Sequence, residues 1–162
     1  MKYLFYLNHP AHYHLFKNVI KILNARGHKT VVTVKSKDVL TKLLDEESVD
    51  YINIMPEGRK DTKLDIILSG IKRIVRHYKI CRREHPDLLI ASSAELGIIG
   101  MLLRRPFITV NEDDGILFPK FYNTFGPFIS HWLSPHVCNN GKYNNITLHY
   151  KGNHELAYLL PK

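Results

Sequence analysis

Cysteine is nearly absent from this chain of 162 residues: Cys81 and Cys138 are the whole complement. Two thiols so far apart make neither a disulfide framework nor a thiolate metal site, and they fit a reducing, cytoplasmic setting. No run approaches the roughly 18 consecutive apolar residues that span a bilayer. Met1 to Leu7 lacks the length and the small-residue cleavage site of a signal peptide. The expectation is a chain neither secreted nor transmembrane by those routes. Also absent are the Gly-x-x-x-x-Gly-Lys-Ser/Thr phosphate loop, the Gly-x-Gly-x-x-Gly fingerprint and the Gly-x-Ser-x-Gly elbow. A bound dinucleotide cofactor and a nucleophilic serine are therefore not expected. No helix-turn-helix, zinc finger or aromatic RNA-binding strand motif occurs, which argues against a nucleic-acid partner.

Charge is plentiful and one-sided. Lys and Arg number 23 against 15 Asp and Glu, a net charge of +8 that points to anionic partners such as phosphates or an anionic membrane face. With 44% hydrophobic and 23% charged residues, the composition is that of a globular protein, and the length suits one domain.

Along the chain, strands alternate with helices. Lys2 to Leu7 is an unbroken aliphatic and aromatic run, the pattern of a strand buried on both faces. The loop Asn8-His9-Pro10-Ala11 follows, then a helix from His12 carrying Leu15, Phe16, Val19, Ile20 and Leu23 on one face and closed by Gly27. Thr30 to Val34 is a β-branched strand. Ser36 caps a second helix, with Asp38 near its positive end and Val39, Leu40, Leu43 and Leu44 inward. Tyr51 to Ile54 is a third strand, and a basic loop, Pro56 to Asp61, leads to a capping box at Thr62-Lys63-Leu64-Asp65 and a long helix to about Arg83. Asp87 to Ala91, a second capping-box match at Ser92-Ser93-Ala94-Glu95, a helix over Leu96 to Leu103 and a strand over Pro106 to Val110 continue the pattern. Ile129 to Leu133 and Asn145 to Tyr150 are further strand candidates. This order predicts an α/β domain with a doubly wound, Rossmann-like parallel sheet over residues 1–150, with 151–162 reading as a linker.

Ligands of such sheets sit beyond the carboxyl ends of the strands, so the loops there are searched first. The first loop holds His9, His12 and His14, with His12 at the helix entrance, where free N–H groups favour an anion. A histidine there takes a proton from a hydroxyl or binds phosphate; equally, His12 simply caps the helix and His14 lies on its exposed side. A metal site is not expected, because no Cys or carboxylate ligand is paired with these histidines at motif spacing. Ser92 and Ser93 follow the fourth strand, where capping alone accounts for them. The fifth loop, Asn111-Glu112-Asp113-Asp114-Gly115, crowds three carboxylates, which suits acid or base work, although a solvated turn is the plainer reading.

The long helix bears Leu64, Ile67, Leu68, Ile71, Ile74, Val75 and Tyr78 on one arc, with Lys72, Arg73, Arg76, His77, Lys79 and Arg83 round the other side. Such a stripe is expected to pack on the sheet; a basic amphipathic helix lying on anionic lipid is the alternative. Phe118, Phe121, Tyr122, Phe125, Phe128 and Trp132 pose the same choice between core and an acceptor-binding or membrane-touching surface.

The run from Asn8 to Asn18, with Arg26-Gly27-His28 and Val32-Thr33, resembles the opening of a prokaryotic family in the GT-B glycosyltransferase and UDP-N-acetylglucosamine 2-epimerase superfamily. Tyr150-Lys151-Gly152 and Glu155 to Pro161 are similar to that family's interdomain segment. The resemblance implies the N-terminal half of a GT-B architecture, with the active site in the cleft between two Rossmann-like halves. This half would receive a sugar or lipid-linked acceptor of the cell envelope. The nucleotide-sugar co-substrate would be bound mainly by a C-terminal domain, in a longer chain or as a partner chain, and no other cofactor is implied. In the lipid-acceptor transferase of peptidoglycan synthesis, a Gly-rich first loop ends in a histidine entering the helix; His12 resembles that position, without the glycines. The acidic loop after that enzyme's fifth strand loosely resembles Asn111-Glu112-Asp113. His12, Asp113 and Glu112 are thus the catalytic candidates, and His9, His14, Ser92, Ser93 and Asp114 the substrate-binding ones. The resemblance equally admits half of a 2-epimerase, and a non-catalytic binding or membrane-docking module for a separate catalytic chain remains a third expectation.

Overall fold

The computed structural model describes residues 1–35, 38–56, 62–117, 119–154 and 156–159. Among the described residues one sheet contains β1 (Lys2–Leu7), β2 (Lys29–Val34), β3 (Ile52–Asn53), β4 (Leu88–Ala91), β5 (Phe107–Val110), β6 (His131–Pro135) and β7 (Thr147–Tyr150). Their spatial order is β3-β2-β1-β4-β5-β6-β7, and every pairing is parallel. The helices are α1 (Pro10–Ala25), α2 (Asp38–Glu46), α3 (Lys63–Glu84), α4 (Glu95–Leu103), α5 (Pro119–Phe125) and α6 (Leu156–Leu159). The α/β, doubly wound, Rossmann-like fold is thus present.

The two-residue alternation of a strand divides the core. Leu4 and Tyr6 of β1 join a cluster with Ile80 and Cys81 of α3, Leu96 and Ile99 of α4, and Trp132. Phe5 and Leu7 point the other way, into a cluster with Phe16 and Ile20 of α1 and Leu40 and Leu44 of α2. Trp132 is fully buried and stacks between Tyr122 and Tyr143, at 4.5 and 5.7 Å between ring centroids, so Tyr122 and Trp132 are core. Phe118 and the side chain of Phe121 lie outside the described residues, as do Ser36, the Asp38 side chain and positions 57–61 of the basic loop.

Four local expectations are corrected. Helix α1 begins at Pro10, which suits a first helical position because proline has no N–H to leave unsatisfied there; the cap is His9, whose Nδ1 accepts from Ala11 N at 3.2 Å. Val39 is 68% exposed rather than inward. The second capping box does not form: Ala94 is the cap of α4, without a side-chain bond, and Glu95 instead receives both arms of Arg73, at 3.1 and 3.0 Å. The first does act as a cap, with Asp65 N donating to Thr62 Oγ1.

The fourth correction is the largest. Most of the apolar stripe of α3 does not pack on the sheet: Leu64 is 73% exposed, Ile67 60% and Ile71 54%, while Ile74 packs against the core. Beside Ile80 and Cys81, the helix turns polar side chains inward. Arg73 reaches Glu95, Arg76 donates to the carbonyl of Ile54 at 2.6 Å, and His77 is fully buried, with Nε2 3.2 Å from Thr33 Oγ1 and its ring edge-on to Tyr6. Periodicity reports that a helix has two faces, whereas the partners waiting on the sheet decide which face goes in.

Burial holds His77 at about pKa 3, far below the ordinary imidazole value, so it is neutral in the folded protein. The unfolded chain binds the proton more readily, which makes this contribution to stability complete above roughly pH 6.5 and progressively lost as the pH falls toward 3. Denaturant unfolding of His77→Gln across that window is expected to show a shallower acid slope than the parent chain. Equal slopes would refute a buried neutral imidazole.

Candidate functional site

Strand β1 connects through α1 to β2 on one side, and β4 connects through α4 to β5 on the other, so the crevice opens between the carboxyl ends of β1 and β4. A cavity of about 390 Å³ occupies that place. Three loops meet in it: His9 and His12 after β1, Ser92 after β4, and Asn111, Glu112 and Asp113 after β5, with His154 arriving from the end of the chain.

The first turn of α1 is not an open anion cradle. Pro10 has no N–H, Ala11 N donates to the His9 ring, and His12 N donates to the His9 carbonyl at 3.0 Å. His12 is the third residue of α1, within its first turn, and lines the cavity. The rings of His9 and His12 lie 6.1 Å apart.

The acidic loop is held from behind. Cys138 Sγ donates to the Glu112 carbonyl at 3.1 Å, and Asn139 N donates to Asp114 Oδ1 at 2.7 Å. Asn111 clasps its own turn, its Nδ2 donating to the Asp113 carbonyl at 2.6 Å. Asp114 is thus spent on the β6–β7 connection, while the Glu112 and Asp113 side chains remain exposed toward the cavity. Burial raises the Cys138 thiol above its ordinary range, and the nearby Asp114, Asp113 and Glu112 raise it further, so it carries no thiolate at neutral pH.

Ser93 turns its hydroxyl into the protein, and His14 packs its ring against Tyr13 at 5.9 Å; neither lines the cavity. His154, by contrast, was not among the sequence candidates. It is buried, its Nδ1 lies 3.2 Å from Glu112 Oε2, and its ring stacks on Tyr150. Helix α6 then packs against α1, so the segment after β7 crosses the carboxyl edge of the sheet and delivers His154 beside the acidic loop. Among the described residues no group of three His, Cys, Asp or Glu is arranged to hold a metal ion, and no helix is long and apolar enough to cross a membrane.

No protein-family model and no curated protein matches the chain. Solved structures do match its fold. MurG of Acinetobacter baumannii superposes with a TM-score of 0.69 at 12% identity, over 94% of this chain and 46% of that one. The UDP complex of S. aureus MnaA gives 0.70 at 16%, over 96% and 46%. A UDP-N-acetylglucosamine 2-epimerase gives 0.69 at 16%, over 94% and 48%. The chain thus spans less than half the length of these structures and shares its Rossmann-like fold with part of each.

The His154–Glu112 contact should hold the terminal segment in place. Replacing Glu112 by Ala or His154 by Ala is expected to speed tryptic cleavage after Lys151 several-fold while far-UV circular dichroism stays unchanged. A cleavage rate equal to the parent's would show that the contact does not tether the segment.

Proposed function

We propose that this chain is the acceptor-side half of a glycosyltransferase-like enzyme, which moves a sugar from a nucleotide sugar to a cell-envelope glycan or lipid-linked acceptor. The observation that carries this reading is the meeting of His12, Glu112 and Asp113 in one cavity at the switch point of the sheet. Support for the substrate class comes from the shared fold with a protein in complex with UDP and with a UDP-N-acetylglucosamine 2-epimerase.

On this reading an acceptor hydroxyl enters the cavity and gives its proton to His12 or to a carboxylate of the acidic loop as its oxygen bonds to the sugar's C1 and the C1–O bond to the nucleotide breaks, releasing the nucleoside diphosphate. His9 and Ser92 orient the acceptor, and His154 fixes the Glu112 carboxylate. The nucleotide sugar is presented by a second domain, in the same chain or a partner, and no catalytic metal enters the scheme. An enzyme of this kind works at the cytoplasmic side, where nucleotide sugars are available.

A 2-epimerase is the second reading, favoured by the equally good superposition on such an enzyme. It dispenses with the acceptor and uses the same carboxylates and histidines to remove the proton at the sugar's C2 as the nucleoside diphosphate leaves C1, and to return a proton to the opposite face as the diphosphate adds back.

The test is a radiolabel or mass-spectrometric assay of nucleotide sugars with the protein that carries both halves. Sugar transfer is expected to fall by about 10²–10⁴ in His12→Ala or in the double variant Glu112→Gln, Asp113→Asn, with the fold retained. Unchanged turnover removes those groups from the mechanism. Inversion at C2 in the absence of any acceptor decides for the epimerase.

A further inference from the structure

Helix α3 turns both apolar and polar side chains to the sheet. Ile80 and Cys81 join the core there, with Ile74 packed against it, and beside them Arg73, Arg76, His77 and Glu84 meet polar partners: Glu95, the Ile54 carbonyl, Thr33 and Lys2. The side that faces away carries Leu64, Ile67, Leu68, Ile71, Val75 and Tyr78, all exposed. At 100° per residue these six fall within about one-third of the helix circumference, from Leu64 to Tyr78 of an element that runs Lys63–Glu84. Soluble monomers rarely leave an apolar strip of that length uncovered. Rolling the helix to hide the strip would break the Arg73–Glu95 pair and withdraw Ile80 and Cys81 from the core.

Charge tells what covers the strip. Along one border run Lys72, Lys79 and Arg83, all exposed, with Arg82 near its end. The one acid in that row, Asp65, lies at the helix start, where it accepts the Thr62 hydroxyl. A second copy of the chain meeting this face across a two-fold axis would confront the same cationic row, with no acidic row to answer it. A bilayer containing anionic lipid answers both features, taking the side chains of the strip among its acyl chains and the ammonium and guanidinium groups at its headgroups.

We propose that the outward face of α3 docks the protein on an anionic lipid surface. Because α3 starts after β3, at the carboxyl edge of the sheet, its first turn lies on the same edge as the cavity of His12 and Glu112. A lipid-linked acceptor held in that membrane would therefore present its head to the same edge; this consequence, unlike the docking itself, rests on the sugar-transfer reading.

Vesicle flotation tests the docking without any nucleotide sugar, so it stands or falls separately from the enzymatic assay. The chain is expected to float with phosphatidylglycerol-containing vesicles at low salt, to lose binding as salt screens the headgroups, and to stay in solution with pure phosphatidylcholine. Ile71→Glu with Val75→Glu should abolish flotation, and Lys72→Ala with Lys79→Ala should weaken it by roughly fivefold per charge removed. All four positions are exposed, so circular dichroism should be unchanged. Absence of flotation at low salt overturns the proposal. So does flotation that survives Ile71→Glu with Val75→Glu. So does a dimer in light scattering that the same pair of substitutions dissociates, because a second copy would then be the occupant.

Discussion

Parallel pairing of every strand is the constraint on which the rest of the molecule depends. A parallel sheet needs a crossover for each new strand, and the crossovers hide both faces, so no face of the sheet remains for a ligand. Polar side chains without a place in the core are driven to the loop ends. Since all seven strands run the same way, the loops after β1, β4 and β5 open at one edge, and the divergence of α1 and α4 leaves a gap between them. His12, Ser92 and Glu112, far apart in the chain, become neighbours for that reason alone.

The orientation of α3 follows from the same sheet. Its inner face meets Thr33 of β2, the carbonyl of Ile54 and the first residue of α4, and each of these offers a buried or partly buried hydrogen-bonding atom. A two-armed Arg73–Glu95 pair is stronger than a neutral hydrogen bond, and separating its partly buried members leaves each one costly. Apolar residues placed there instead would orphan those atoms. The helix is thus held by these polar contacts together with the buried Ile80 and Cys81, and its outward strip from Leu64 to Tyr78 stays exposed.

Much of this was legible in the residues. Unbroken apolar runs located β1 and β5, Gly27 ended the first helix, and the expectation that ligands sit beyond carboxyl ends led to the three loops that do share a cavity. The errors have specific physical sources. Helix α1 begins earlier than its apolar spacing suggested, because Pro10 and the His9 ring together satisfy the first turn, and a histidine cap leaves a weaker trace than Ser or Asp. The α3 stripe has a clear period but no phase, and phase is set by Glu95, Thr33 and Ile54, none of which is near it in sequence. His154 escaped because nothing in Asn153-His154 hints that the chain doubles back across the sheet edge; only α6 resting on α1 and the Glu112 carboxylate show it.

That doubling back bears on how the cavity works. Glu112 has one oxygen toward His154 and a side chain still about half exposed, so the group is oriented but remains hydrated. A hydrated carboxylate is a poor base for a hydroxyl, and exclusion of water strengthens every charge interaction in a site. On the proposed reading the second half of the enzyme supplies that exclusion when it closes over the carboxyl edge with its nucleotide sugar. The segment bearing His154 lies across the very edge to be covered, so a partner settling there would press on the residue that aims Glu112. Chemistry would then begin only when both substrates and both halves are in place, a safeguard against spending the activated sugar on water.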